Sequence, residues 1–289
     1  MTQGYEALRR GAAWIDLSAR GRILVRGRDR ARLLHAITTN EVKKLAPGSG
    51  CYAFLLTPQG RIQADLNLFC FADHLLIDTE PETREKVHLH IKRYIIADQV
   101  ELEDVTATTS CIGIEGPAAG DLLAKLGAPA PSGDYAHLPW GDRTVASITA
   151  TGQPGARVFG ASATELIASL AAAGVPQASG DDVRQVRIEN GKPRYGEDIR
   201  ETTLPQETQQ MHAVNFNKGC YIGQEIVERI RAMGHVNKKL MRVELDGDSL
   251  PEPGSKVTVE GNEAEVTSAV LAQDTGRIVA LAYVRVPRT

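Results

Sequence analysis

The spacing of hydrophobic and polar positions changes period several times along the chain, and each change predicts an element. Residues 13–26 carry two short apolar runs around a turn at Gly21, which read as two strands. From Asp29 to Ile37, Leu33, Leu34 and Ile37 share one helical face. Residues 51–71, CYAFLLTPQGRIQADLNLFCF, predict a hairpin: an apolar run, a Pro58-Gln59-Gly60 turn, then alternation at Ile62, Ala64, Leu66 and Leu68. HLLIDTE adds a strand, Pro81 opens a helix to about Tyr94, and strands follow at 98–104 and 110–115. Gly116-Pro117 then leads into a helix with Pro in its first turn. Strands at 143–149 and 156–160 precede an Ala-rich helix, Thr164 to Ala173, stopped by Gly174 and Pro176. Asp181 or Asp182 is expected to cap a helix holding Val183, Val186 and Ile188. Residues 192–217 show no period, as long functional loops do. GQEIVERIRAMG returns to helical spacing at Ile226, Ile230 and Met233, with Gly234 as the stop. From about Lys239 the text is a series of short β runs split by Gly, Asp, Asn and Pro, which predicts a small barrel or sandwich. Strands and helices mix without a regular βαβ beat, so the body is α+β.

The 289 residues are 42% hydrophobic and 24% charged, with a net charge of −3. That is enough chain to bury a core without staples. No basic field spans it, which argues against direct nucleic-acid binding, and Arg26, Arg28, Arg30 and Arg32 read as a solvated helix face. No apolar run has membrane length, and the start, MTQGYEALRRGAAWIDLSAR, lacks a signal-peptide core. Four cysteines without a CxxC predict a reducing, cytoplasmic setting. His88 and His90 diverge on a helix and no HExxH occurs, so no metal site is expected. The glycines around Pro117 lack a following GK[ST] and do not make a phosphate loop.

Three of the cysteines, Cys51, Cys70 and Cys111, sit inside apolar strands and read as packing groups. Cys220 differs. In KGCYIGQEIVERI it is expected at or just before a helix start, where backbone N–H groups favour an anion. Lys218 adds a positive charge two residues away, and Gly219 leaves the sulfur uncrowded. Such a setting lowers a thiol from its free value of about 8.5 towards neutrality, which makes Cys220 the candidate reactive group.

KGCYIGQEIVERI resembles the signature of the YgfZ-type folate-binding proteins, relatives of the aminomethyltransferase (T-protein) of the glycine cleavage system. LLTPQGRIQADLNLF, RIENGKPRYGEDI, ETTLPQE and VTSAV with IVALAYVR follow in the family's order, so the resemblance covers nearly the whole chain. It implies two intertwined α+β units around a central folate cavity, then a small C-terminal β-barrel. The corresponding segments are 1–107, 108–235 with the KGCYIGQE motif, and 236–289. It implies tetrahydrofolate as the ligand and a role supporting iron–sulfur client enzymes, tRNA-modifying ones among them. The alternative is a folate-dependent aminomethyltransferase or another one-carbon enzyme; a third reading is an adaptor whose cavity stays empty. Asp65 falls where the family places a functional carboxylate. Arg187 and Glu189 match a second cavity motif, Tyr195 follows in RYGED with Glu197, and Lys218, Tyr221, Gln224 and Glu225 surround the cysteine. The chain departs from the transferases in three ways. It has Ala64-Asp65 where they carry two acids, Gln153 where they carry a Glu, and the KGC cysteine they lack. A neutral amide still pairs a pterin edge but cannot act as a general base.

Overall fold

The computed structural model describes residues 1–286. In chain order the elements are α1 Gln3–Arg10, β1 Ala13–Asp16, β2 Gly21–Arg26, α2 Arg30–Ile37, β3 Gly50–Leu56, β4 Ile62–Cys70, β5 His74–Thr79, α3 Arg84–Arg93 and β6 Glu101–Asp104. Then come β7 Ser110–Glu115, α4 Ala119–Lys125, β8 His137–Trp140, β9 Arg143–Ala146, β10 Gly155–Gly160, α5 Thr164–Ala172 and α6 Gly180–Glu189. The chain closes with α7 Gln224–Met233, β11 Lys238–Leu245, β12 Lys256–Val259, β13 Asn262–Leu271 and β14 Ile278–Arg285.

The strands form three antiparallel sheets, ordered β3-β4-β5-β2-β6, β1-β7-β10-β9-β8 and β11-β14-β13-β12. The two strands expected around Gly21 therefore part company. β2 enters the first sheet, whereas β1 crosses to the second and pairs with β7, Ala13 opposite Glu115. A boundary near residue 107 cuts through that pairing. The turn lies at residues 17–20 and Gly21 already belongs to β2.

Alternation assigns the faces of the first sheet. Ala53, Leu55, Ala64, Leu66, Leu68, Leu75 and Ile77 pack with Leu33, Leu34 and Ile37 of α2 and Val87 and Ile91 of α3. The intervening residues, Tyr52, Asp65, Asn67, Phe69 and Asp78, therefore project from the other face, towards the second sheet. The second sheet is built the same way. Ile112, Ile114, Val145, Ala156 and Val158 pack under Ala119 and Leu123 of α4 and Leu166 and Leu170 of α5. Arg157, Phe159 and Cys111 are left on the inner face, and Phe69 meets Phe159 with ring centroids 5.4 Å apart. A one-residue slip of β4 would move Asp65 from the inner face into the helix-side core.

Four points differ from what the pattern predicts. Helix α4 begins at Ala119, so Pro117 lies in the turn ahead of it. The cap of α6 is Ser179, whose hydroxyl accepts from the Asp182 amide while Asp182 returns a bond to the Ser179 amide; Asp182 is the third residue of a capping box. Strand β8 escaped notice because Pro139 sits in it. Proline is tolerated there since β8 is an edge strand. The expected C-terminal barrel is an open, curled sheet, with β11 and β12 at its edges among the described residues. The last three residues of the 236–289 segment lie outside the described residues.

Candidate functional site

The inner faces of the two sheets enclose a cavity of about 680 Å³, closed on one side by α6 and the loop that follows it. Its size suits one small ligand. Asp78 organises the wall. Fully buried on β5, it accepts Arg20 Nε and Nη2 at 2.9 Å each, Asn67 Nδ2 at 2.7 Å and Arg157 Nη1 at 2.5 Å. Arg157 belongs to β10, so this pair ties the two sheets together. Burial pushes the Asp78 carboxyl up, but Arg157 and then Arg20 outweigh it and hold the group below the usual carboxylate range. Arg20 also pairs with Glu80, which Arg194 meets at 3.0 Å.

Asp65 is different in kind. It is 9% exposed, Tyr52 donates its hydroxyl to Oδ2 at 2.8 Å, and Oδ1 is buried without a partner. Burial first, and Glu80 second, push its pKa up to about 6, with Arg20 and the Tyr52 bond opposing. A carboxyl that exchanges its proton near neutrality, with one unpartnered oxygen at a cavity wall, is equipped for proton transfer. Tyr52 stacks on His212 at 5.3 Å, and Tyr135 stands on the same wall with a φ of 61°. A bulky residue held in the left-handed region is uncommon, and such positions cluster at functional sites.

The candidate residues divide. Asp65, Arg187 and Glu197 line the cavity. Arg187 is clamped by Glu197 and by Asp198, at 2.7 Å from the latter. Glu189 faces away from the cavity and accepts the Tyr5 hydroxyl at 3.1 Å and Gln185 at 2.6 Å, tying α6 to α1. Tyr195 is buried and donates to the Gln63 carbonyl at 2.5 Å. Gln153 is half-buried in the turn before β10, outside the cavity lining, and so is Gln224, whose Oε1 accepts the Tyr221 amide at 3.3 Å. Glu225 is exposed and pairs with Arg229 at 2.9 Å. Tyr221 is buried in an apolar cluster with Phe54, Leu56 and Ile62.

Lys218 and Gly223 of the cysteine motif have structural tasks. Cys220 is exposed and lies outside the cavity lining, and helix α7 begins four residues later, after a Gly223 cap. Lys218 is turned inward. Its ammonium donates to the carbonyls of His35 and Thr38 and, at 2.8 Å, to that of Asn40, at the C-terminal end of α2. Burial drives its pKa down to about 8. Those carbonyls engage the charge that was expected to activate the thiol. The motif's second glycine is also structural. Gly223 has φ 82°, and a Cβ there would lie 2.5 Å from the Thr57 carbonyl oxygen. On the other side of the contact, a Cβ on Gly60 would meet Ile226 at 2.9 Å. The cysteine motif and the hairpin turn that precedes Asp65 are thus packed back to back. Lys218→Met should strand three carbonyls, that of Thr38 buried, and cost about 2–4 kcal/mol, read from urea denaturation; an unchanged midpoint would contradict this role.

Tyr52, Arg20, Glu80, Arg157, Lys192 and His212 line the cavity without having been anticipated. Arg157 is a lone charge inside the apolar strand GARVFG, which by itself reads as an outward position. Nothing local marked the others.

Comparison with known proteins shows the family and the fold. Residues 1–218 match the family model described as the GCVT N-terminal domain. An aminomethyltransferase of Rubrobacter xylanophilus is 31% identical, the match covering 97% of this chain and 78% of that protein. One of Chloroherpeton thalassium is 30% identical, covering 97% and 81%. A putative chloroplastic transferase of Arabidopsis thaliana is 28% identical, covering 90% and 62%. The crystal structure of the glycine cleavage system aminomethyltransferase T from Bartonella henselae superposes with a TM-score of 0.86 at 19% identity, covering 98% of this chain and 81% of that one, and so shares the fold. With the family model matched over most of its length, the chain belongs to the GCVT family, which it shares with aminomethyltransferases.

Proposed function

We propose that the cavity binds a reduced folate and that the protein is a folate-dependent one-carbon transferase of the aminomethyltransferase type, with Asp65 as the proton-transfer group. The observation that carries this reading is the buried Asp65 carboxyl, with its unpartnered Oδ1 and a pKa near 6. The surrounding residues fit tetrahydrofolate. Tyr52, Tyr135 and His212 offer a flat aromatic wall, Asp65 an acceptor for an N–H, and the arginines of the wall partners for carboxylates. When bound, tetrahydrofolate supplies the nitrogen that accepts the one-carbon unit. The chain's part is to hold that nitrogen against Oδ1, to take its proton there, and to keep the carboxylate oriented through Tyr52. Arg20 and Arg157 fix Asp78 behind this group. The test is direct: supply tetrahydrofolate and an aminomethyl donor and measure methylene-tetrahydrofolate. Absence of both folate binding and product would defeat the reading.

A second reading is supported by Cys220. Its exposure outside the cavity suits contact with another macromolecule, as in a cytoplasmic, YgfZ-type protein that supports iron–sulfur enzymes. One thiolate cannot hold a cluster alone, so any cluster contact would be shared with the client. Under this reading Cys220→Ala keeps its melting temperature and folate affinity but loses the capacity to restore iron–sulfur enzyme activity in a null strain. Full complementation by the variant would remove the case for it.

A further inference from the structure

Six cationic side chains line the cavity, and four are matched by carboxylates: Arg20 by Asp78 and Glu80, Arg184 and Arg187 by Glu197, and Arg194 by Glu80 and Glu82. The remaining two are incompletely used. Arg157 is 3% exposed; Nη1 serves Asp78, but Nε–H is buried with no partner. Lys192 is in no ion pair among the described residues, and its ammonium donates to the Thr149 carbonyl. Glu115, the carboxylate within its field, is already saturated by the Ala150 amide at 2.5 Å, the Thr151 amide at 2.9 Å and the Thr151 hydroxyl. Burial correspondingly lowers the Lys192 pKa to about 8. A buried donor without an acceptor and a half-buried ammonium with no carboxylate in contact ask for the same thing.

We propose that Arg157 Nε and Lys192 Nζ form an anion-accepting pole of the cavity, which takes a carboxylate of the bound molecule. The cavity then makes two opposite demands on its ligand: an N–H for Asp65 and a carboxylate for this pole. The inference rests on the cavity being the ligand site. The carboxylate has two sources, the glutamyl tail of the folate or a small carboxylic acid that binds beside it.

The experiment titrates tetrahydrofolate, tetrahydropteroate (which lacks the glutamate) and p-aminobenzoylglutamate (which lacks the pterin) into the wild-type chain, Lys192→Met and Lys192→Arg. A folate source predicts that Lys192→Met weakens tetrahydrofolate and p-aminobenzoylglutamate by about tenfold or more, leaves tetrahydropteroate unchanged, and is rescued by Lys192→Arg. A small-acid source predicts unchanged affinities for all three, with acetate protecting Lys192 of the wild type from acylation as read by mass spectrometry. Equal weakening of tetrahydropteroate, or no change in any titration together with no acetate protection, overturns the pole. Should neither tetrahydrofolate nor tetrahydropteroate bind the wild type, the folate reading fails, and acetate protection alone then decides the pole.

Discussion

Replacing Asp65 by asparagine should lower one-carbon transfer by about 10²–10⁴-fold, the usual worth of a positioned acid–base group. The fold should survive, because the asparagine carbonyl can still accept the Tyr52 hydroxyl. Stability should even rise at pH 7. The Asp65 carboxyl has a folded pKa of about 6 against an ordinary value of 3.8. A raised acid pKa means that ionisation costs more in the folded state than in the unfolded one. That cost is absent below the unfolded value and fully present above about 6. Asparagine removes it, so the variant should melt at an equal or higher temperature while losing turnover. The wild-type rate should climb as pH rises through about 6, where the carboxylate forms, and the variant's residual rate should lose that limb. A variant with full turnover, or a wild-type rate that is flat between pH 5 and 7, would refute the assigned role.

The largest loss of stability is expected at Asp198. Its fully buried carboxylate accepts Arg187 Nη1 at 2.7 Å, the Arg194 amide at 3.0 Å, the Thr267 hydroxyl at 2.7 Å and the Ser268 hydroxyl at 2.6 Å. Two consecutive strand residues normally face opposite ways. The irregularity of β13 between Val266 and Ser268 lets Thr267 and Ser268 reach the same carboxylate. Arg187 comes from α6 of the body, so this one acid fastens the C-terminal sheet to the cavity wall. Asp198→Ala should cost about 3–5 kcal/mol, since it leaves a buried guanidinium and the Ser268 hydroxyl short of a partner, while Thr267 keeps the Leu281 carbonyl at 3.0 Å. Thr267→Val, which removes one donor, should cost only about 1 kcal/mol. Urea denaturation separates the two, and equal midpoints would show that the carboxylate is not the fastening point.

Much of the body was legible in the sequence because alternation is a local property. The residues 51–71 hairpin placed Asp65 on a defined face, and that face proved to be the cavity side. The cysteine motif was legible as a motif, but the direction of its lysine was not. Lys218 lies two residues from Cys220, yet its long side chain runs to carbonyls at His35, Thr38 and Asn40. Proximity along the chain does not fix the direction of a flexible side chain. The charged wall was hidden for a related reason. A single charge in an apolar strand reads as an outward position, and the Asp78–Arg157 pair joins residues 79 apart. Only the docking of one sheet on the other turns those two isolated charges into a bonded pair.

The placement of β1 bears on how the chain is made. All strands of the first sheet lie within residues 21–104, so that sheet can close while translation is still in progress. Ala13–Asp16 leaves the ribosome earlier still, but its partner, Ser110–Glu115, is synthesised about a hundred residues later. The nascent protein must therefore carry an unpaired apolar segment throughout, and shielding that segment is the natural task for a chaperone at the tunnel exit.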